Sequence, residues 1–275
     1  MIDSQGGKPF LKWAGGKRQL LPVLREKIKN IPYQRYIEPF IGGGALFFDL
    51  KPKNAIINDI NEELVNVYKT VKDNHLELIE HLKQHINTQE YFMKIRSLDR
   101  DRNTYKSLSD LERASRFIFL NRTAFNGLYR VNKKGEFNTS YGKYKNPNIV
   151  QEESIKQASK ILQNTKIFNK SIFELNCFKE GDLVYLDPPY IPLSKTASFK
   201  EYSKEGFSLD DQKRLANLCK DLNSEGIKFI LSNSYTEDTL DIYSGFLVQE
   251  VLAKRNIASN SVSRKKVKEV LISNF

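Results

Sequence analysis

The chain is predicted to fold as an α/β protein on a doubly wound sheet, and three observations carry that prediction. First, short β-prone runs recur between helical patterns: Tyr36-Ile37, Ala55-Ile56-Ile57, Lys166-Ile167-Phe168, Leu183 to Leu186 and Ile227 to Leu231. Second, the earliest of these runs meets the glycine loop Pro39-Phe40-Ile41-Gly42-Gly43-Gly44 and then an apolar helical segment from Ala45 to Leu50. Third, the stretches Phe246 to Leu252 and Val267 to Phe275 read as a C-terminal antiparallel hairpin.

Composition narrows the function classes. Forty-four basic residues against thirty-three acidic ones leave a formal charge of +11, which favours a polyanionic partner, most simply nucleic acid. No apolar run approaches the length of a membrane span, and Cys177 and Cys219 form neither a disulfide framework nor a metal-ligand pattern. A soluble intracellular protein without a membrane partner is expected.

Along the chain, the polar start is expected to fray. Lys12-Trp13-Ala14-Gly15-Gly16-Lys17 then opens a helix whose apolar positions are Leu20, Leu21, Leu24 and Ile28. A glycine turn at a helix start is an anion site by its unpaired N–H groups. It is not a P-loop, because Leu11 stands where the first glycine belongs and Arg18 where Ser or Thr would hold magnesium. Trp13 beside two glycines points to a ligand-facing loop, against the plainer reading of a loop-to-helix turn.

In the next unit the glycine loop lets a ligand approach the backbone closely. Asp59 follows the run Ala55 to Asn58, fifteen residues beyond Gly44. An acid at the tip of the second strand accepts from ribose hydroxyls; a helix-capping role for the same acid stays open. Residues from Leu64 to Leu120 turn helical, with stripes Leu64/Val67/Tyr68/Val71 and Leu76/Ile79/Leu82/Ile86, and a third helix around Leu111 to Leu120. His81 and His85 are read as part of a solvated helix face, and no metal is expected.

From Arg122 to Lys145 the segment changes character. Arg122, Arg130, Lys133, Lys134, Lys143 and Lys145 interleave with Phe125, Tyr129, Phe137, Tyr141 and Tyr144 and with Asn126, Asn132 and Asn138. Such side chains bind phosphates, pair with base edges and stack. A solvated charged loop is the weaker reading.

The organising stretch is Asp187-Pro188-Pro189-Tyr190 at the end of an apolar strand. The residue before a proline is kept extended, and neither proline carries an N–H, so the tip offers acceptors beside an aromatic face. That combination suits a planar, amino-bearing ring. Ile191 to Ser208 then reads as a polar loop able to close over substrate, followed by a helix around Leu209 to Leu222.

Together these pieces resemble the DNA adenine-N6 methyltransferases of the DNA adenine methylase type. Phe10 to Lys17, the Pro39-to-Gly44 loop, a basic inserted segment and Asp187 to Tyr190 stand in that family's order across essentially the whole chain. Asn126 to Arg130 and Phe137 to Tyr144 look like the recognition segments of members acting on GATC, with Ser140 where many relatives have proline. The resemblance implies a Rossmann-like S-adenosylmethionine-dependent methyltransferase sheet, formed by residues 1–64 and 165–275, with a mostly helical target-recognition domain inserted at 65–164.

It further implies S-adenosyl-L-methionine as cofactor, held by Trp13, Ala14, Gly15, Lys17, Glu38, Pro39, Phe40, Gly42, Gly44, Asp59, Phe173 and Asp187. Catalysis is assigned to Asp187, Pro188, Pro189 and Tyr190. Double-stranded DNA would be met by Lys12, Asn126, Leu128, Arg130, Asn138, Tyr144, Arg264 and Lys265. The expected setting is the cytoplasm of a bacterium, or a phage-encoded protein acting there, and the expected state a monomer. Partnership with a restriction endonuclease and solitary action both stay open. Two rivals remain: methylation of cytosine N4, and a DNA-binding regulator that has lost catalysis.

Overall fold

A computed structural model of the chain describes residues 7–192, 207–254 and 266–275. The expected loop closing over substrate falls largely outside the described residues, as do Arg264 and Lys265. Seven strands make one sheet: β1 (Arg35–Glu38), β2 (Ala55–Asn58), β3 (Thr165–Phe168), β4 (Asp182–Leu186), β5 (Lys228–Ser234), β6 (Leu247–Lys254) and β7 (Lys266–Ser273), in the order β3-β2-β1-β4-β5-β7-β6. β1 pairs in parallel with β2 and with β4, and β4 with β5, while β7 inserts antiparallel between β5 and β6. This is the α/β architecture and the C-terminal antiparallel hairpin that the sequence predicts.

The order reverses direction between β1 and β4. The chain moves one way through β2 and β3, then returns to place β4 on the other side of β1. Such a switch point opens a crevice beyond the carboxyl ends of the two strands, where open α/β sheets bind ligands. β4 is buried along its whole length, as a central parallel strand covered on both faces must be. Arg35 anchors the other end of the β1/β4 pair: its guanidinium donates to both oxygens of Asp182, at 2.8 and 2.7 Å, and to the Cys177 carbonyl.

The described chain divides into two compact units. One comprises Arg18–Phe40, Asn54–Ile57 and Lys170–Phe275, with helix α1 (Leu21–Ile28) and the two helices following β4 and β5. The other comprises Met1–Lys17, Ile41–Lys53 and Asn58–Asn169 and is mainly helical: α2 (Ala45–Leu50), α3 (Glu62–Asp73), α4 (His75–Lys83), α5 (Gln89–Ser97), α6 (Arg102–Ser107), α7 (Asp110–Thr123) and α8 (Glu152–Leu162). In chain order the remaining helices are α9 (Leu209–Ser224) and α10 (Glu237–Ile242).

Local chemistry sets the helix starts. Asn61 caps α3 by accepting from the Leu64 N–H, with Glu62 and Glu63 in the favourable first turn. Ser109/Glu112 and Ser208/Asp211 form reciprocal capping boxes at α7 and α9. The second expected stripe needs correction: α4 buries Leu78, Ile79 and Leu82, whereas Leu76 and Ile86 are more than half exposed. Helix α4 stops at Lys83, so Ile86 never completes the turn that would carry it back to the core.

The histidines also depart from the expected solvated face. His85 stacks on Phe119 with centroids 4.5 Å apart, and its ring nitrogens meet Tyr91 Oη at 2.9 Å and Ser115 Oγ at 2.9 Å. His81 Nδ1 lies 2.8 Å from the same Ser115 hydroxyl. Burial and the neighbouring His81 pull the His85 pKa down to about 4.

Candidate active site

In the sheet-bearing unit, register brings two sequence motifs to one edge. Ile37 pairs with Val184 in parallel, so Pro39-Phe40 and Asp187 leave adjacent strands in the same direction. The Asp187 carboxylate is oriented from β5: the Ser232 hydroxyl donates to its Oδ1 at 2.7 Å and lies 3.1 Å from the Tyr185 hydroxyl. Tyr190 is oriented from β7, its hydroxyl donating to Glu269 Oε2 at 3.0 Å. Burial first, and the Asp187 charge second, push the Tyr190 phenol well above its ordinary pKa, so the ring stays neutral.

The loop carrying the two prolines is held by a buried amide network. Gln212 on α9 donates to the Pro189 carbonyl at 2.8 Å, and Asn233 Oδ1 accepts from the Ile191 N–H at 3.1 Å. Asn233 also donates to Gln212 Oε1, which accepts from the Tyr243 hydroxyl at 3.0 Å. All three side chains are fully buried, so the bonds form in a low-dielectric setting where breaking one leaves an orphaned polar atom. The Pro189 carbonyl is thereby committed to the protein itself.

Nearby in the same unit, Phe40, Phe207 and Phe173 form a ring ladder, Phe40 edge-on to Phe207 at 5.7 Å and Phe207 stacked on Phe173 at 5.9 Å. The Arg214 guanidinium sits 3.9 Å from the Phe173 ring centroid. Glu38 is buried and accepts from the Tyr36 hydroxyl at 2.6 Å.

The helical unit holds the glycine loop. Asp59 accepts from the Gly42 N–H through Oδ2 at 3.1 Å and from the Asn61 N–H through Oδ1 at 3.0 Å. Burial raises its pKa, and these backbone donors oppose the rise. Asp59 does not cap α3, since Asn61 does. Gly42 and Gly44 both have positive φ, 46° and 66°. A Cβ on Gly42 would lie 2.8 Å from the Trp13 ring, and one on Gly44 would lie 3.0 Å from Phe48 and the Tyr68 hydroxyl. Trp13 lies nearly parallel to Phe117 and Tyr129, 6.2 and 5.9 Å away, beside a pair that is itself stacked at 4.4 Å. Lys17 is buried and donates to the Gly15 carbonyl at 2.6 Å, while Ala14 and Gly15 are exposed.

The same unit gathers most residues expected to meet DNA. Asn121, at the end of α7, accepts from the Lys12 N–H at 2.9 Å and donates to the carbonyls of Lys12 and Gly127 at 2.7 and 2.9 Å. It thus staples the N-terminal Lys12 to the loop bearing Asn126 and Leu128. Asn126 is left-handed, φ 55°, and its N–H donates to the Tyr144 hydroxyl at 3.0 Å. The Lys12 ammonium lies 4.9 Å from the Tyr144 ring centroid; burial and Arg122 lower its pKa. Arg130 Nε donates to Asn138 Oδ1 at 2.7 Å.

The aromatic residues of this segment divide into two kinds. Phe137 is wholly buried with Phe92, Phe119, Leu120 and Ala124, and Tyr129 and Tyr141 pack against that cluster. Phe125 is 54% exposed and Tyr144 half-buried. Sequence reading missed Asn121, Gln212, Ser232, Asn233 and Glu269. Only Ser232-Asn233-Ser234 carried a visible signal, a polar run ending an otherwise apolar strand.

Comparison with known proteins decides the family. Residues 13–257 match the model of the D12 class N6 adenine-specific DNA methyltransferases. The chain belongs to that family. The methyltransferase is 46% identical to the type II methyltransferase M1.LlaDCHI of Lactococcus lactis subsp. cremoris, over 98% of this chain and 95% of that one. It is 44% identical to the type II methyltransferase M.MjaIII of Methanocaldococcus jannaschii, covering 98% and 99% respectively. The DNA adenine methylase of Escherichia coli is 34% identical over 96% of this chain and 94% of its own.

The methyltransferase is therefore an adenine-specific DNA-modifying enzyme that uses S-adenosylmethionine as methyl donor. Residues of the helical unit fit that group: the Asp59 carboxylate, anchored by backbone N–H groups, and the glycine loop with the Trp13 ring against it. Among the described residues no helix is long and apolar enough to cross a membrane.

Proposed function

We propose that the methyltransferase methylates N6 of an adenine turned out of double-stranded DNA, within GATC. The observation that carries the reading is Asp187 at the β1/β4 switch point, its carboxylate oriented by Ser232 and its neighbouring ring Tyr190 oriented by Glu269. Adenine N6 is a poor nucleophile because its lone pair is delocalised into the ring. The Asp187 carboxylate and the Pro188 carbonyl accept the two N6–H bonds, favouring the tetrahedral nitrogen whose lone pair can attack. The cofactor, when bound, supplies a methyl group already activated by the sulfonium charge. With the methyl group passing to N6 from the sulfonium of a bound cofactor, Asp187 would take the surplus N6 proton. The chain's own contribution is positioning and polarisation.

N6 is out of reach inside the duplex, so the base must leave the stack, with Tyr190 as its stacking partner. Asp59 is assigned to the ribose hydroxyls and the Pro39-to-Gly44 loop to the close approach of the cofactor. Trp13 backs that loop, and Phe40 and Phe173 provide ring faces. Lys12, Asn126, Leu128, Arg130, Asn138 and Tyr144 are assigned to DNA, and residues 65–164 to target recognition.

Likeness of the Asn126-to-Arg130 and Phe137-to-Tyr144 segments to GATC-acting members supports that site. The type II names of M1.LlaDCHI and M.MjaIII support work beside a restriction endonuclease; the enzyme is assigned to act as a monomer, one strand at a time. The test is direct. Plasmid DNA incubated with protein and S-adenosylmethionine should become resistant to a nuclease blocked by GATC adenine methylation. Unchanged cleavage, with methyl label incorporated elsewhere, would reject GATC but not adenine methylation.

A further inference from the structure

We infer that Arg100, together with Asp99, is a positioning residue for base discrimination: it grips the backbone of Phe137 and thereby aims Arg130 through Asn138. The inference rests on the assignment of Arg130 to base reading. Arg130 lies on a hairpin held by little ladder structure, the isolated bridge Val131↔Phe137 and the bonds Asn132 N–H to Glu136 O and Asn138 N–H to Arg130 O. An isolated two-stranded ribbon of that size is marginal in water. An exposed arginine on it loses rotamer freedom on meeting a base unless something has already fixed it.

The structure supplies that fixing from behind. The Phe137 N–H donates to Asp99 Oδ2 at 2.7 Å, and the Phe137 carbonyl accepts from Arg100 at 2.6 Å and from Arg96 Nε at 3.3 Å. Both backbone polar groups of one hairpin residue are thus bound by side chains from the end of α5 and the 3-10 turn Leu98–Arg100. Asp99 is itself held by Arg116 of α7 at 2.7 Å and by Arg100 at 2.6 Å, and Arg100 also reaches within 3.5 Å of Glu136. The Phe137 ring is sunk in the aromatic cluster. The next residue, Asn138, carries the Oδ1 that receives Arg130 Nε. A continuous chain of contacts therefore runs from Arg116 through Asp99, Arg100, Phe137 and Asn138 to Arg130.

Arg100 is one-third exposed, and the buried Asp99 keeps its Arg116 partner when Arg100 is replaced, so no buried charge is left uncompensated. The test measures kcat/KM of Arg100→Met, Arg130→Ala and the double variant on the cognate duplex and on duplexes with one base pair of the site changed. Arg130→Ala should lower discrimination at one base pair by about tenfold or more. Arg100→Met should lower it at that same base pair, while kcat on the cognate duplex stays near the parent's. The double variant should discriminate no worse than Arg130→Ala, because Arg100 acts only through Arg130. Unchanged discrimination in Arg100→Met overturns the clamp. So does an equal fall on all duplexes, or added relaxation in the double variant. Unchanged discrimination in Arg130→Ala instead overturns the base-reading assignment itself, whatever Arg100→Met does.

Discussion

The Ser232 hydroxyl donates to Oδ1 of Asp187 at 2.7 Å, across 45 residues of sequence and from a neighbouring strand. The carboxylate that we propose receives the adenine amino group is therefore pre-aimed by the sheet rather than by its own loop. Ser232→Ala should lower kcat by about tenfold, the worth of one hydrogen bond to a charged group, with cofactor affinity little changed. Steady-state kinetics and cofactor titration check this; an unchanged kcat would separate Ser232 from the chemistry.

Asp187→Ala removes the acceptor itself. Methyl transfer should fall to background while duplex binding stays largely intact, read by labelled-methyl incorporation and by gel shift. Equal loss of both would mean that Asp187 supports the fold or the DNA surface instead.

Gly42→Ala tests the glycine loop. An L side chain at positive φ is strained, and its Cβ would meet the Trp13 ring. The variant should lose about 1–2 kcal/mol of stability and bind S-adenosylmethionine more weakly. Denaturant unfolding and equilibrium binding measure the two effects separately.

His85 predicts a pH dependence of stability. Its pKa falls from 6.5 to about 4 on folding, so between those values the unfolded chain holds the extra proton. Stability should therefore rise with pH across that window and flatten above it. The loss on acidification is on the order of 3 kcal/mol from this residue. Unfolding midpoints of parent and His85→Gln at several pH values check it, the variant showing the shallower slope.

Binding to DNA should weaken steeply with salt, because Lys12, Arg122, Arg130 and Lys143 stand on one segment or beside it. The slope of log affinity against log salt should become shallower by about one in Lys143→Ala, without a change of site preference.

Much of the site was legible in the chain because its parts are contiguous. A strand ending in Asp187-Pro188-Pro189-Tyr190 and a strand ending in three glycines are each read from ten residues, since strand pattern, proline restriction and glycine freedom are local effects. The helical block was legible by periodicity, but α5 and α6 within it were not separated and α10 went unnoticed: each is nine residues or fewer and shows no full stripe.

The sequence by itself determined the strand ends, the glycine loop, the acid at Asp59 and the basic segment from Arg122 to Lys145, and with them the family. Only the tertiary structure decided what holds each of these in place. Glu269 reaches Tyr190 from 79 positions away and Asn121 reaches Lys12 from 109. It also decided which aromatic residues of that basic segment are core and which are surface, since Phe137 and Phe125 look alike in sequence. The reason is physical: burial and orientation are properties of packed neighbours, and neighbours distant along the chain leave no periodic trace in it.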